Sequence, residues 1–233
     1  MKLLKFATLA LIGATFFFTA KSQGNENQTD EKEVGKISSS IEVLNEFTEM
    51  KGNIPAELLK KTEGIIIIPG MKNAGLIVGA KRGKGIAVIK NADGTWSNPV
   101  FVTLTGGSFG LQIGVQSIDL VLMFKKRSSL EEIGNGSFTL GGDISATAGP
   151  VGRSSTAGTD YKLDAEVYSY SRSKGLFAGL SINGSSIDID ENANEHFYGE
   201  PADAKTIFDN EVDSSSDEAS SLKQTLKSLT AKK

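Results

Sequence analysis

Residues 64–124, GIIIIPGMKNAGLIVGAKRGKGIAVIKNADGTWSNPVFVTLTGGSFGLQIGVQSIDLVLMF, decide the fold. The run Ile65, Ile66, Ile67, Ile68 is β-branched with no polar alternation, which reads as a strand buried on both faces and closed by a turn at Pro69-Gly70. Aliphatic runs follow at 76–78, 86–89, 100–104, 111–115 and 118–124, with an Asn91-Ala92-Asp93-Gly94 turn in their midst. Gly, Asn or Asp separates nearly every run from the next, so consecutive strands are expected to pair antiparallel through short turns. The pattern continues with strands predicted at 137–140, 144–148, 163–170, 176–180 and 186–189.

Glycine usage agrees. Of 26 glycines, 22 lie between Gly64 and Gly199, about 16% of that stretch against an ordinary ~7%. These glycines punctuate apolar runs and do not replace them, so the region is ordered β structure and not low-complexity sequence.

Helical spacing frames this β region. From 37 to 51, Ile37, Ile41, Leu44 and Phe47 recur at spacings of three and four, an amphipathic helix with an acidic face of Glu42, Glu46 and Glu49. Pro55 starts a short helix over 56–61. Residues 128–134, SSLEEIG, carry a Ser cap, acids in the first turn and a closing Gly. Two more short helices are expected at 192–198 and 202–210. After a polar linker from 211, Leu222, Leu226 and Leu229 mark a weak C-terminal helix. The expected architecture is α+β: a single β-rich domain with a mostly antiparallel, curved or barrel-like sheet, short-turn connections and packed N- and C-terminal helices.

The first 22 residues read as an address. Lys2 and Lys5 precede an uncharged run from Phe6 to Ala20, 15 residues long, short of the ~20 that span a bilayer as a helix. Ala20 and Ser22 have the spacing of a cleavage site, so residues 1–22 are expected to be a signal peptide and the protein to be exported, into a periplasm or outside the cell. Residues 23–36 then read as a disordered spacer, with Val34 their one aliphatic side chain. The expected domain spans 37–210.

Composition excludes several chemistries. No Cys is present, which removes thiol nucleophiles, Cys-based metal sites and disulfides. His196 is the sole histidine, so a multi-histidine metal centre is impossible. No cofactor is expected. Without residues 1–22 the chain carries 22 bases and 28 acids. Within it, 51–186 has 15 bases and 10 acids, flanked by acidic arms. A basic centre of that kind points to an anionic partner, whereas nucleic acid is disfavoured by the acidic total and the lack of an aromatic-interleaved basic stripe.

Gly106-Gly107-Ser108-Phe109-Gly110 fits G-x-S-x-G, the serine hydrolase elbow, with His196 downstream. The elbow needs a helix directly after the serine, and the residues that follow Ser108 are strand-like. Gly79 to Gly85 resembles a phosphate loop but has three residues between its first glycines and no Ser or Thr for magnesium. Gly149-Pro150-Val151-Gly152-Arg153 reads as a structural turn, though one able to present amides and a guanidinium to a phosphate. Asp119, set among aliphatics, calls for a buried partner. The basic residues gather near predicted strand ends as Lys81, Arg82 and Lys84; Lys125, Lys126 and Arg127; and Arg172 and Lys174. If those ends share one side of the sheet, the eight residues form an anion-binding face worth about 1 kcal/mol per base at a membrane surface.

The segments IPAELLKKTEGIIIIPG (54–70), WSNPVFVTLTGGSFGLQIGVQSIDLVLMF (96–124), FTLGGDISATAGPVGR (138–153), YSYSRSKGLFAGLSING (168–184) and NANEHFYGE (192–200) occur in an order that resembles the SYLF domain family. The resemblance implies a lipid- and phosphoinositide-binding module that carries out no chemistry. Eukaryotic members have been linked to lipid through basic residues of an N-terminal amphipathic helix, and some bind actin. Here the corresponding helix, 37–51, is acidic, with Lys51 its only base. The expectation is therefore a non-enzymatic protein engaging anionic phospholipid through the eight basic residues above. An interaction module for another envelope protein is the alternative, and a hydrolase using Ser108 a minor one.

Overall fold

The isoleucine run forms the middle of the sheet. The computed structural model describes residues 24–49, 54–75, 78–109, 114–135, 138–149, 164–174, 176–177, 182–199, 201–214 and 216–231. The expected signal peptide and residues 150–153 of the Gly-rich turn lie outside them. Strand β1 (Gly64–Gly75) pairs antiparallel with β2 (Val78–Ile89) on one side and β4 (Gly114–Phe124) on the other. The remaining strands are β3 (Val100–Phe109), β5 (Phe138–Leu140), β6 (Ala146–Ala148), β7 (Val167–Ser173), β8 (Leu176–Phe177) and β9 (Ser185–Ile189). They run in the order β5-β9-β3-β2-β1-β4-β7-β6, with β8 against β7. A bridge between Leu140 and Ile144 brings the two edges together, so the sheet is nearly closed and barrel-like. Among the described residues only that bridge and the β6–β7 pair are parallel. The expected α+β class and barrel-like sheet are both observed.

Side-chain alternation divides the strands between two cores. Ile66, Ile68, Ala87, Ile89, Val102, Leu120 and Leu122 fill the barrel interior, which Leu130, Ile207 and Phe208 plug at one end. Ile65, Ile67, Ile86, Val88, Val121, Met123, Tyr168 and Tyr170 face outward and are covered by helices. Those helices are α1 (Gly24–Glu49), α2 (Ala56–Lys60), α4 (Glu191–Tyr198) and α6 (Asp217–Ala231). The smaller α3 (Arg127–Glu131) and α5 (Ala204–Phe208) serve the interior core. The C-terminal helix docks: Leu222, Leu226 and Leu229 are buried beside α1 and α2.

Three local expectations need correction. Pro69-Gly70 does not turn the chain; both residues stay inside β1, where the register shifts relative to β2 and β4. This is a bulge, made possible because Pro has no ladder N–H to lose and Gly70 adopts φ +60°. The N-terminal helix begins at Gly24, not Ile37, and so runs through the stretch read as a spacer. That stretch is poor in apolar residues but has no Pro, and its Glu, Lys and Gln extend a helix already anchored by Ile37, Leu44 and Phe47 at little cost. Helix α3 starts one residue before the expected Ser128, with Lys126 at the N-cap and no side-chain cap bond.

Candidate functional site

In each of the first four strands the two halves differ in burial. Their distal halves, the last residues of β1 and β3 and the first of β2 and β4, lie largely half-buried or exposed. Register sets one row across them: Thr105 of β3 opposes Arg82 of β2, Arg82 opposes Lys72 of β1, and Lys72 opposes Ser117 of β4. Opposed residues of an antiparallel pair share a face, so two bases and two hydroxyls stand side by side. Lys72 donates to Ser117 Oγ at 3.3 Å, and Ser173 Oγ of β7 donates to the Ser117 carbonyl at 3.3 Å. Lys72, Arg82 and Ser117 are exposed.

The row itself holds no acid, and the carboxylates nearest it, Asp188 and Asp190, stand on its β9 side. Between Gly64 and Ile118 the chain has a single carboxylate, Asp93. It sits in the connection from β2 to β3, at the other end of the barrel, where its pKa is held low by the Thr95 hydroxyl and amide. Lys174, exposed in the β7–β8 turn with φ 51°, adds a base on the side of the row nearest β7.

The eight expected bases do not converge. Lys125, Lys126 and Arg127 follow the far end of β4, seven or more residues from Ser117, or about 23 Å along the strand. Lys126 is ion-paired with Glu166, and Lys125 lies 6.0 Å from the centre of the Tyr168 ring. Arg127 is a structural strap: it donates to Glu131 and Asp209 at 2.6 and 2.8 Å and to Asn91 at 2.8 Å, and the Glu131 bond in particular raises its pKa. Lys81 has the inward parity of Ala87 and Ile89, is 2% exposed, and has its pKa lowered by burial. Neighbours in sequence alternate faces on a strand, which is why Lys81 and Arg82 part company.

Arg172 belongs to a network of its own. Asp119 Oδ2 accepts from Arg172 Nη2 at 2.6 Å and from Nε at 3.2 Å, while Oδ1 accepts from the Gly70 amide at 2.9 Å. The same guanidinium pairs with Glu46 of α1 and lies 5.6 Å from the centre of the Phe47 ring. Glu46 and Asp119 together raise its pKa. Asp119 thus has the partner its apolar surroundings demanded, and Arg172 holds α1 to the sheet.

Lys84 pairs with Asp190, beside an open groove of about 570 Å³ lined by Arg82, Lys84, Thr103, Thr105, Asp188 and Asp190. With Glu191 the lining has three carboxylates against two bases, so the groove does not by itself suit an anion. Of the eight bases, Arg82, Lys84 and Lys174 are exposed on the distal half. Sequence clustering missed Lys72, which stands alone in its segment; only its register opposite Arg82 reveals it.

The elbow reading of Ser108 fails on geometry. Ser108 lies inside β3, paired with Gly79, and among the described residues the next element after β3 is the strand β4. Among the described residues no cluster of acids and histidine could hold a metal ion.

Residues 105–229 match the family model described as Ysc84, "Las17-binding protein actin regulator". The chain belongs to the Ysc84 family. This bears out the SYLF resemblance read from the sequence. Relatives of this Ysc84-family chain include LAS seventeen-binding protein 3 of Saccharomyces cerevisiae, 35% identical over 188 residues covering 79% of this chain and 41% of the yeast protein. SH3 domain-containing YSC84-like protein 1 of Homo sapiens is 34% identical over 170 residues, 70% of this chain and 49% of the human protein. The Rattus norvegicus protein of the same name is 32% identical over 204 residues, 84% and 59% of the two chains. The chain therefore spans about two-fifths to three-fifths of the length of these relatives. Their names describe binding or domain content, not catalysis.

Proposed function

We propose that this Ysc84-family protein is a non-enzymatic, exported lipid-binding protein that engages anionic phospholipid or phosphoinositide-like headgroups. The observation that carries the reading is the row of Thr105, Arg82, Lys72 and Ser117, which contains two bases and no acid, on the distal half of the sheet, extended by Lys174. Guanidinium, ammonium and hydroxyl groups on one face are the donors that phosphate oxygens accept from. Lys84 neighbours the row but is engaged by Asp190. Export is supported by the basic and apolar segments within residues 1–22.

A chain of residues 23–233 retains every described contact and removes the apolar segment 6–20, which would itself adsorb to bilayers. It is expected to co-sediment with vesicles containing phosphatidylserine at low salt, to bind pure phosphatidylcholine more weakly, and to lose most of the difference at high salt. Equal absence of binding to both vesicles would sink the proposal. The relatives' names favour one other reading, a protein-binding module; a specific protein partner in pull-down with no lipid effect would support it instead.

A further inference from the structure

Three large aliphatic side chains stand out in water among the described residues: Val78, Val115 and Leu176, at 67%, 71% and 73% exposure. Single exposed apolar residues are ordinary. Two of these three, Val78 and Val115, although 37 residues apart in sequence, meet at one end of the barrel, and Leu176 lies on its flank. Val78 is the first residue of β2, Val115 the second of β4 and Leu176 the first of β8. Register joins them: Gly75 opposes both Gly79 and Gly114, and Ala74 opposes both Ala80 and Val115. Leu176 opposes Ser173, which by the β4–β7 register stands level with Ile118, so Leu176 lies one residue behind Ser117, on the flank of the end that Val78 and Val115 form.

Their distance from the basic row is the informative quantity. Val115 lies two residues beyond Ser117 and Val78 four beyond Arg82, about 7 and about 13 Å further along their strands. An apolar tip whose Val115 stands about 7 Å in front of a basic belt has the layering of a bilayer interface, where apolar groups sink about 5–10 Å past the headgroups. The tip itself is narrow, built from Ala74, Gly75, Gly79, Ala80 and Gly114. In the sequence, residues 76–77 and 110–113, which connect these strand ends, carry no charge. Nor does any carboxylate occur from residue 71 to residue 83, from 105 to 118 or from 173 to 177. Such an end complements an anionic surface and offers nothing to a cationic one.

We propose that the strand ends bearing Val78 and Val115 insert into the acyl boundary of an anionic bilayer, leaving Lys72, Arg82 and Lys174 at the level of the headgroup phosphates. The proposal rests on the lipid-binding reading and adds to it a mode of entry, an apolar anchor whose contribution persists when salt screens the bases.

The natural absence of cysteine makes the test direct. Val78→Cys, Val115→Cys and Leu176→Cys are made singly in the chain 23–233 and labelled with an environment-sensitive fluorophore. Asp93→Cys, at the opposite end, is the control. Vesicles of phosphatidylcholine and phosphatidylserine, with and without a lipid carrying a shallow acyl-chain quencher, are then added. Blue-shifted emission and quenching at positions 78 and 115, with less of both at position 176 and neither at position 93, is the expected result. A Val78→Ser/Val115→Ser variant is expected to bind at high salt about tenfold more weakly than the parent. Sedimentation of the parent with unshifted tip probes overturns the insertion and leaves the lipid reading standing. Failure of the parent to sediment overturns both. Tip probes already shifted before lipid is added, together with self-association of the chain, assign the apolar end to a second copy and overturn the proposal.

Discussion

Gly85→Ala is expected to destabilise the protein by about 3–4 kcal/mol, enough to lower the yield of folded material sharply. At the β1 bulge, strand β1 crowds β2, and β2 meets it with Gly83 and Gly85. A methyl group on Gly85 would overlap the Ile67 carbonyl oxygen and come within 2.8 Å of Ile68 Cδ1. Neither neighbour can retreat, since Ile67 is paired with both Ile86 and Val121 and is wholly buried. Gly35→Ala supplies the contrast. Gly35 is exposed within α1 with no atom near its would-be Cβ, so alanine there should stabilise by roughly 0.5–1 kcal/mol. Chemical denaturation of the two variants checks both signs; a Gly85→Ala protein as stable as the parent would contradict the crowding at the bulge.

Asp119→Ala should cost about 2–3 kcal/mol. The substitution strips the Gly70 amide of its acceptor inside the bulge and leaves Arg172, only 11% exposed, without its more buried carboxylate. Glu46, the other partner, is 42% exposed and replaces little of that loss. Asp119→Asn keeps an acceptor for Gly70 and should cost less than half as much. The same denaturation series separates the two, and equal losses in both variants would mean that charge alone, and not the capped bulge, matters at this position. Neither change touches the exposed bases, so vesicle binding by the folded fraction should stand unchanged.

What the sequence reveals and what it conceals follow from the range of each signal. The isoleucine run identifies the central strand because burial on both faces leaves no room for polar alternation. The spacing of Leu222, Leu226 and Leu229 likewise identifies a helix with a face to bury. Pro69-Gly70 misleads because turn grammar is local, whereas the bulge is fixed by Asp119, 49 residues away. The basic clusters mislead for a related reason. Lys81 and Arg82 are adjacent in sequence, yet strand alternation sends one into the barrel and the other out. Arg172 and Lys174 sit near each other, but Arg172 closes over Phe47 and Lys174 occupies a turn. Lys72 and the apolar tips become visible only once pairing register is known. Family membership, by contrast, was legible throughout, since many short segments in order specify a fold more tightly than any one motif.

The account's central claim is that the distal row, and not basic charge in general, meets the anionic surface. Vesicle affinity of a Lys72→Glu/Arg82→Glu/Lys174→Glu variant, set against Lys125→Glu/Lys126→Glu, measures it most directly. At about 1 kcal/mol per lost base, the first variant should bind phosphatidylserine-containing vesicles at least about a hundredfold more weakly, while the second, altered at the far end, should bind within about threefold of the parent. Equal weakening in both would contradict the assignment of the site to the distal row.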